Sequence, residues 1–128
     1  MNPKPLIFVD LDDTLFQTNR KSTPTPLHKI ATIDKFGKPL SYMLPKQQIF
    51  VNWLLASADV IPVTARSVQG LQRVHLPFLH GAICSHGGTI LAADQRVDQE
   101  WLAIQHKAAT ELDQLLTELP TLLLNYAK

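Results

Sequence analysis

Four apolar residues in unbroken succession, Leu6-Ile7-Phe8-Val9, stand between Pro5 and Asp10. A short run without alternation suits a buried strand of a parallel sheet, so a central strand is expected over 5–9. Residues 16–45 are polar and carry Pro24, Pro26, Pro39 and Pro45, which rules out one continuous helix there. Within them, residues 28–34 and 40–43 flank Lys35-Phe36-Gly37-Lys38. That pattern predicts a β-hairpin with Gly37 at its turn, hanging as a flap over whatever ends the first strand. Pro45 then opens a helix whose Ile49, Phe50, Trp53, Leu54 and Ser57 share one face against the sheet.

Residues 60–64 read as the next strand. Pro62 inside it requires a local irregularity or pairing on one side only, because proline donates no ladder hydrogen bond. Ser67 is suited to cap a short helix over about 68–75. Residues 82–85 and 89–92 make two more strands joined by a tight turn at Gly87-Gly88. Helices alternating with strands through short connections predict a parallel sheet with helices on both faces. From Gln99 onward Trp101, Ile104, Ala108, Leu112, Leu115 and Leu119 recur three or four apart. They define a long amphipathic helix over about 99–119, with Pro120 expected to end it.

Composition narrows the picture. A chain of 128 residues, 45% apolar and 18% charged, is long enough for a core and too apolar for disorder, so it reads as a single domain, 1–128. A net charge of +1 gives no footing for nucleic acid or for an anionic membrane surface. The lone Cys84 excludes an internal disulfide and fits a reducing cytoplasm. The apolar run before Asp10 is too short for a signal peptide or a membrane span. A cytoplasmic chain with no nucleic-acid or membrane partner is expected.

The chemistry concentrates where the first strand ends, at Asp10, Asp12 and Asp13. Strand ends are where open α/β sheets bind ligands, and crowded like charges call for a cation. A cation held by oxygens beside a sheet points to phosphate chemistry. A helix cap alone would need one acid rather than three. Asp10 and Asp12 fall on one side of an extended chain if strand geometry persists. Asp13 is expected to be structural, and Thr14 to fix the turn by hydrogen bonds. Thr64 places a short hydroxyl at a strand end, suited to a phosphoryl oxygen. Arg66 is open to a substrate phosphate, a neighbouring carboxylate or plain solvent. His86 is expected to bond its own turn, and Cys84 to behave as a small apolar residue.

Asp10-x-Asp12-x-Thr14 after an apolar strand resembles the first signature of the haloacid dehalogenase (HAD) superfamily. Val60-Ile61-Pro62-Val63-Thr64-Ala65-Arg66 is similar to its second, an apolar strand ending in Thr or Ser. Residues 82–90 look like the strand–turn–strand of its sugar-phosphatase branch, with His86 where Asn is usual. The resemblance spans roughly residues 5–92. It implies a Rossmann-like three-layer α/β sandwich, with a central mostly parallel sheet, a hairpin flap at about 16–45 and a long C-terminal helix. It also implies an Mg2+-dependent phosphatase acting on a small phosphorylated metabolite, a sugar phosphate foremost. Asp10 would be the nucleophile and a metal ligand. Asp12 would be the general acid, also contributing to the metal, and Thr64 and Arg66 would hold the substrate phosphate.

Two parts of the family's pattern are missing: a lysine that neutralises the phosphorylated aspartate, and a distal Gly-Asp-x-x-x-Asp pair. The acids after residue 92 follow no apolar strand ending in glycine, and Lys107 lies mid-helix. An incomplete HAD core is therefore expected, either a form lacking its C-terminal half or a short variant completed by a partner or by homo-oligomerisation. Magnesium affinity would be weak, since one carboxylate and one carbonyl leave most of an octahedral shell to water. Two other functions stay open: a non-catalytic, partner-completed half-domain, and phosphoryl transfer to an acceptor other than water, as in mutases.

Overall fold

The apolar run does form a strand, β1 (Leu6–Val9), which pairs in parallel with β5 (Asp59–Pro62) in the computed structural model, where residues 2–127 are described. Between them lie β2 (Gln17–Thr18), β3 (Lys29–Ile33), β4 (Pro39–Met43) and α1 (Pro45–Ser57). After β5 come α2 (Val68–Gln72), β6 (Ala82–Cys84), β7 (Thr89–Leu91) and α3 (Gln99–Tyr126). The architecture is mixed α/β: the small parallel sheet β1-β5, an antiparallel sheet in the order β2-β4-β3, an antiparallel pair β6-β7, and the long C-terminal helix. A single parallel bridge, Val63 to Ile83, links β5 to β6. Among the described residues no helix is long and apolar enough to cross a membrane.

Alternation in the parallel pair decides what is covered. Ile7, Val9 and the buried Val60 pack against Leu54, Leu55 and Ala58 from α1 and its end. Leu6 and Phe8, pointing the other way, are 56% and 58% exposed. β1 pairs with β5 alone among the described residues, so it is an edge strand rather than the central one expected. Pro62 sits where β5 bonds one neighbour. The Val63 N–H donates to the Val9 carbonyl at 2.8 Å, whereas bonding to β6 begins only with the Thr64 N–H on the Ile83 carbonyl at 2.9 Å. The missing proline N–H therefore leaves no gap in a ladder.

The hairpin forms as its turn chemistry predicts. The Asp34 carboxylate accepts the Phe36 and Lys38 N–H groups at 2.8 and 2.9 Å, and Gly37 takes a φ of 80° that few side chains tolerate. It is not a free overhang, however. The Ile33 N–H donates to the Arg73 carbonyl and the His75 N–H to the Ala31 carbonyl, at 3.1 and 2.7 Å, so β3 is tied to the segment after α2. Ala31 and Met43 belong to the main core with Leu11, Leu15 and Phe16. Thr32 and Ser41, register partners in the same sheet, are fully buried and their hydroxyls find no hydrogen-bond partner.

Two further expectations change. α1 buries Val51 and Leu54, while Ile49, Phe50 and Trp53 remain 72%, 46% and 59% exposed. The helix is apolar on nearly every side, so its spacing does not select the inward face. α3 runs through Pro120 to Tyr126. Proline lacks the N–H that would bond the carbonyl one turn back and its ring crowds that carbonyl, yet the helix continues on both sides of it among leucines, which are good helix formers. The start of α3 is secured by the Asp98 carboxylate, which accepts the Trp101 N–H at 2.7 Å, and by the Trp101 indole N–H donating to the Gly87 carbonyl at 2.8 Å. Gly81, entering β6 at a φ of 102°, is required: a Cβ there would sit 2.4 Å from the Leu91 carbonyl oxygen.

Two outcomes follow for this fold. Leu54→Ala should lower stability by about 2–4 kcal/mol, as buried leucine truncations do, and Trp53→Ala by under about 1 kcal/mol, both read from urea unfolding. Backbone hydrogen bonds from Lys38 and Phe36, helped by the Lys38 charge, hold the Asp34 carboxyl below its ordinary value of 3.8. A depressed folded-state pKa gives stability that is present above the unfolded value and lost as pH falls through the folded one. The amide resonances of Phe36 and Lys38 should therefore shift below about pH 4 and stay constant above it, and Asp34→Asn should remove that titration.

Candidate functional site

The parallel pairing of β1 with β5 puts two strand ends side by side. Asp10 follows Val9 directly, and Thr64 follows the Val63 whose N–H reaches the Val9 carbonyl. Past β1 the chain turns sharply. The Leu11 carbonyl accepts the Thr14 and Leu15 N–H groups at 3.2 and 2.9 Å, and Asp13 takes a φ of 64°, tolerated by aspartate better than by most residues. Leu11, Leu15 and Phe16 anchor that turn in the core at 0–1% exposure.

The three carboxylates diverge to different partners. Asp10 accepts the Thr14 hydroxyl at 3.0 Å, so Thr14 braces the turn as expected. Asp12 is gripped by Arg66, whose Nε and Nη2 donate to its two oxygens at 2.7 Å each. Asp13 takes the Lys21 ammonium at 2.6 Å in an exposed pair. Asp10 is thus the one member of the trio whose recorded partner is neutral. Among the described residues no three His, Cys, Asp or Glu side chains converge as a metal-holding group. The fit to a magnesium ion rests on Asp10, because Mg2+ commonly takes one or two carboxylates together with water and substrate phosphate. The side chain of Asp12 is already engaged.

Arg66 is the most constrained side chain of the site. Besides its two-pronged grip on Asp12, its Nη1 donates to the Gly70 carbonyl at 3.2 Å, and its guanidinium lies 5.7 Å from the centre of the Phe16 ring. Its position binds the end of β1 to the start of α2. The structure therefore places it on a protein carboxylate, one of the three surroundings open to it from sequence. Thr64 is 4% exposed, and its hydroxyl oxygen accepts the Arg66 N–H at 3.0 Å, leaving the hydroxyl hydrogen for another acceptor. The His86 N–H donates to the Thr64 carbonyl at 3.2 Å, so that turn braces the strand end through its backbone. Ser85 and His86 both hold positive φ, at 51° and 55°. Cys84 is fully buried, and loss of solvent pushes its thiol up, away from thiolate reactivity.

Gly70, Phe16 and Lys21 serve this site without having been singled out from sequence. Gly70 carried a signal: a glycine inside a predicted helix asks for a packing reason. Here a Cβ would meet the Arg66 Cβ at 3.3 Å. The carboxylates lie outside the small cavity whose lining includes Leu71, Gln72, Val74, Phe78, Leu91 and Gln95. They occupy an open strand edge instead, with Asp10 exposed. Comparison with known proteins returns no matching family model and no matching curated protein.

The Arg66–Asp12 pair should register in a double-mutant cycle. Arg66 is 16% exposed and Asp12 42%, so solvent screening reduces the coupling to about 1 kcal/mol, below that of a dry pair. Arg66→Met and Asp12→Asn should each destabilise the chain in urea, and the double variant by less than their sum. Strict additivity would mean that the pair contributes nothing.

Proposed function

We propose that this chain is an Mg2+-dependent, phosphatase-type hydrolase domain acting on a small phosphorylated metabolite, with a sugar phosphate foremost, through an aspartyl-phosphate on Asp10. The observation that supports it most is the placement of Asp10 and Thr64 at the adjoining ends of two parallel strands, with Asp10 unclaimed by any cation among its recorded contacts. In this reading the architecture is an incomplete Rossmann-like three-layer sandwich of HAD type, one face of whose parallel sheet is left bare.

A carboxylate oxygen of Asp10 attacks phosphorus in line with the leaving alkoxide, forming an acyl-phosphate bond as the ester P–O bond breaks. The Thr14 hydroxyl orients that carboxylate from its other side. Thr64 donates its free hydroxyl hydrogen to a phosphoryl oxygen, where charge builds up in the transition state. Asp12 delivers a proton to the leaving oxygen and later takes one from the water that attacks phosphorus, breaking the acyl-phosphate bond to free phosphate and restore the Asp10 carboxylate. For that, one of its oxygens must be released from Arg66, so Arg66 governs Asp12 rather than binding substrate. A magnesium ion on Asp10 supplies charge neutralisation when bound. With Arg66 engaged by Asp12 and Lys21 by Asp13, slow turnover is expected of the chain alone.

The same commitments favour a second reading, a non-catalytic half-domain that works only when completed by a partner. An assay of the purified chain with magnesium and an aryl phosphate separates the two. The hydrolase reading expects turnover that falls to background in Asp10→Asn and drops by about 10²-fold in Thr64→Ala. Turnover that survives Asp10→Asn would remove Asp10 as nucleophile, and none in the parent chain would favour the half-domain.

A further inference from the structure

The turn Ser85-His86-Gly87 holds three successive left-handed conformations, with φ of 51°, 55° and 91°. Only the glycine adopts that region freely. Serine and histidine are strained there, and such a run persists only where its surroundings fix it. Its hydrogen bonds reach two separate parts of the chain. The Ser85 N–H donates to the Arg66 carbonyl and the His86 N–H to the Thr64 carbonyl, at 2.8 and 3.2 Å. The Gly87 carbonyl accepts the Trp101 indole N–H at 2.8 Å.

The first two bonds end on the candidate site. Thr64 and Arg66 are also joined to each other, because the Thr64 hydroxyl oxygen accepts the Arg66 N–H at 3.0 Å, and Arg66 in turn grips Asp12. The third bond ends on the base of α3. There the Asp98 N–H donates to the Ile90 carbonyl at 2.8 Å, and Trp101, Leu102 and Gln105 are partly covered, whereas every described residue from 106 onward is exposed. The helix is therefore attached through its first two turns, and Trp101 is where that attachment meets the strained turn.

We propose that Trp101 is a positioning residue: through the Gly87 carbonyl it holds the Ser85–Gly87 turn, and through that turn it sets Thr64 and Arg66 from the base of α3. Without the indole bond, Ser85 and His86 relax toward negative φ, and their N–H groups turn away from the Arg66 and Thr64 carbonyls. The hydroxyl hydrogen that Thr64 offers to a phosphoryl oxygen then loses its fixed direction, and misplacement by about 1 Å can cost about 10²-fold in rate. The role in turnover rests on the hydrolase reading above; the mechanical coupling does not.

Trp101→Phe removes the donor and keeps a ring in the same half-buried place, while Leu102→Ala trims the neighbouring residue with the indole bond intact. Hydrogen exchange of the full chain, free of ligand, reads the coupling. In Trp101→Phe the Ser85 and His86 amides should exchange about 10-fold faster or more, with Phe36 and Lys38 in the hairpin turn unchanged. The Arg66 Nε–H resonance should shift as well. In Leu102→Ala the Ser85 and His86 amides should stay as protected as in the parent. The assay with magnesium and an aryl phosphate reads the role in turnover. Trp101→Phe should lower kcat about 10-fold with KM unchanged, and adding it to Thr64→Ala should cost less than about 2-fold further, because the hydroxyl it aims is gone. Unchanged protection of Ser85 and His86 in Trp101→Phe overturns the proposal. So does the same loss of kcat with and without the Thr64 hydroxyl, or equal deprotection in Leu102→Ala. A parent chain without turnover counts against the hydrolase reading, and the exchange result then decides the coupling alone.

Discussion

The pairing of β1 with β5 is the constraint on which the remaining arrangement hangs. It joins segments remote in sequence, and the Val63 N–H on the Val9 carbonyl sets their register at the point where both strands end. Side chains alternate across a strand, so a slip by one residue would exchange the two faces. Ile7 and Val9 would leave α1, Leu6 and Phe8 would have to replace them, and Asp10 would move relative to Thr64. Apolar packing against Leu54, Leu55 and Ala58 thus fixes where a carboxylate and a hydroxyl stand.

Onto that register the turn at residues 10–16 adds an electrostatic arrangement. Three neighbouring carboxylates would repel one another if they converged. The chain separates them, sending Asp12 to Arg66 and Asp13 to Lys21, and gives Asp10 the uncharged Thr14. Arg66 is supported from beneath by Phe16 and from beside by Gly70, so its direction is set by packing as well as by charge. Asp12 and Arg66, remote from each other in sequence, are thereby joined as one unit.

Features that depend on neighbours in sequence were legible beforehand. Gly37 with Asp34 makes the hairpin turn, Pro45 opens α1, and Ser67 caps α2 by accepting the Gly70 N–H. Features that depend on distant partners were not. Nothing within α1 distinguishes Val51 and Leu54 from Phe50 and Trp53, because the choice is made by distant residues, Ile7, Val9 and Val60 for Leu54 and the main core around Leu11 and Phe16 for Val51. The docking of β3 onto the segment after α2 rests on backbone groups that carry no side-chain signature. At the site, the placement of Asp10 and Thr64 at strand ends could be read from the apolar runs that precede them. The grip of Arg66 on Asp12 could not, since carboxylate, phosphate and solvent contacts are all open to an arginine at this position.

The hairpin's two buried hydroxyls have a consequence for how the molecule breathes. An unsatisfied buried hydroxyl costs about 1–3 kcal/mol relative to one that is hydrated. When the seam between β3 and the segment after α2 parts, Thr32 and Ser41 recover that energy from entering water, while most core residues only lose contacts. The hairpin is thus held to the core by Ala31 and Met43 while carrying beside them two groups that gain from meeting water.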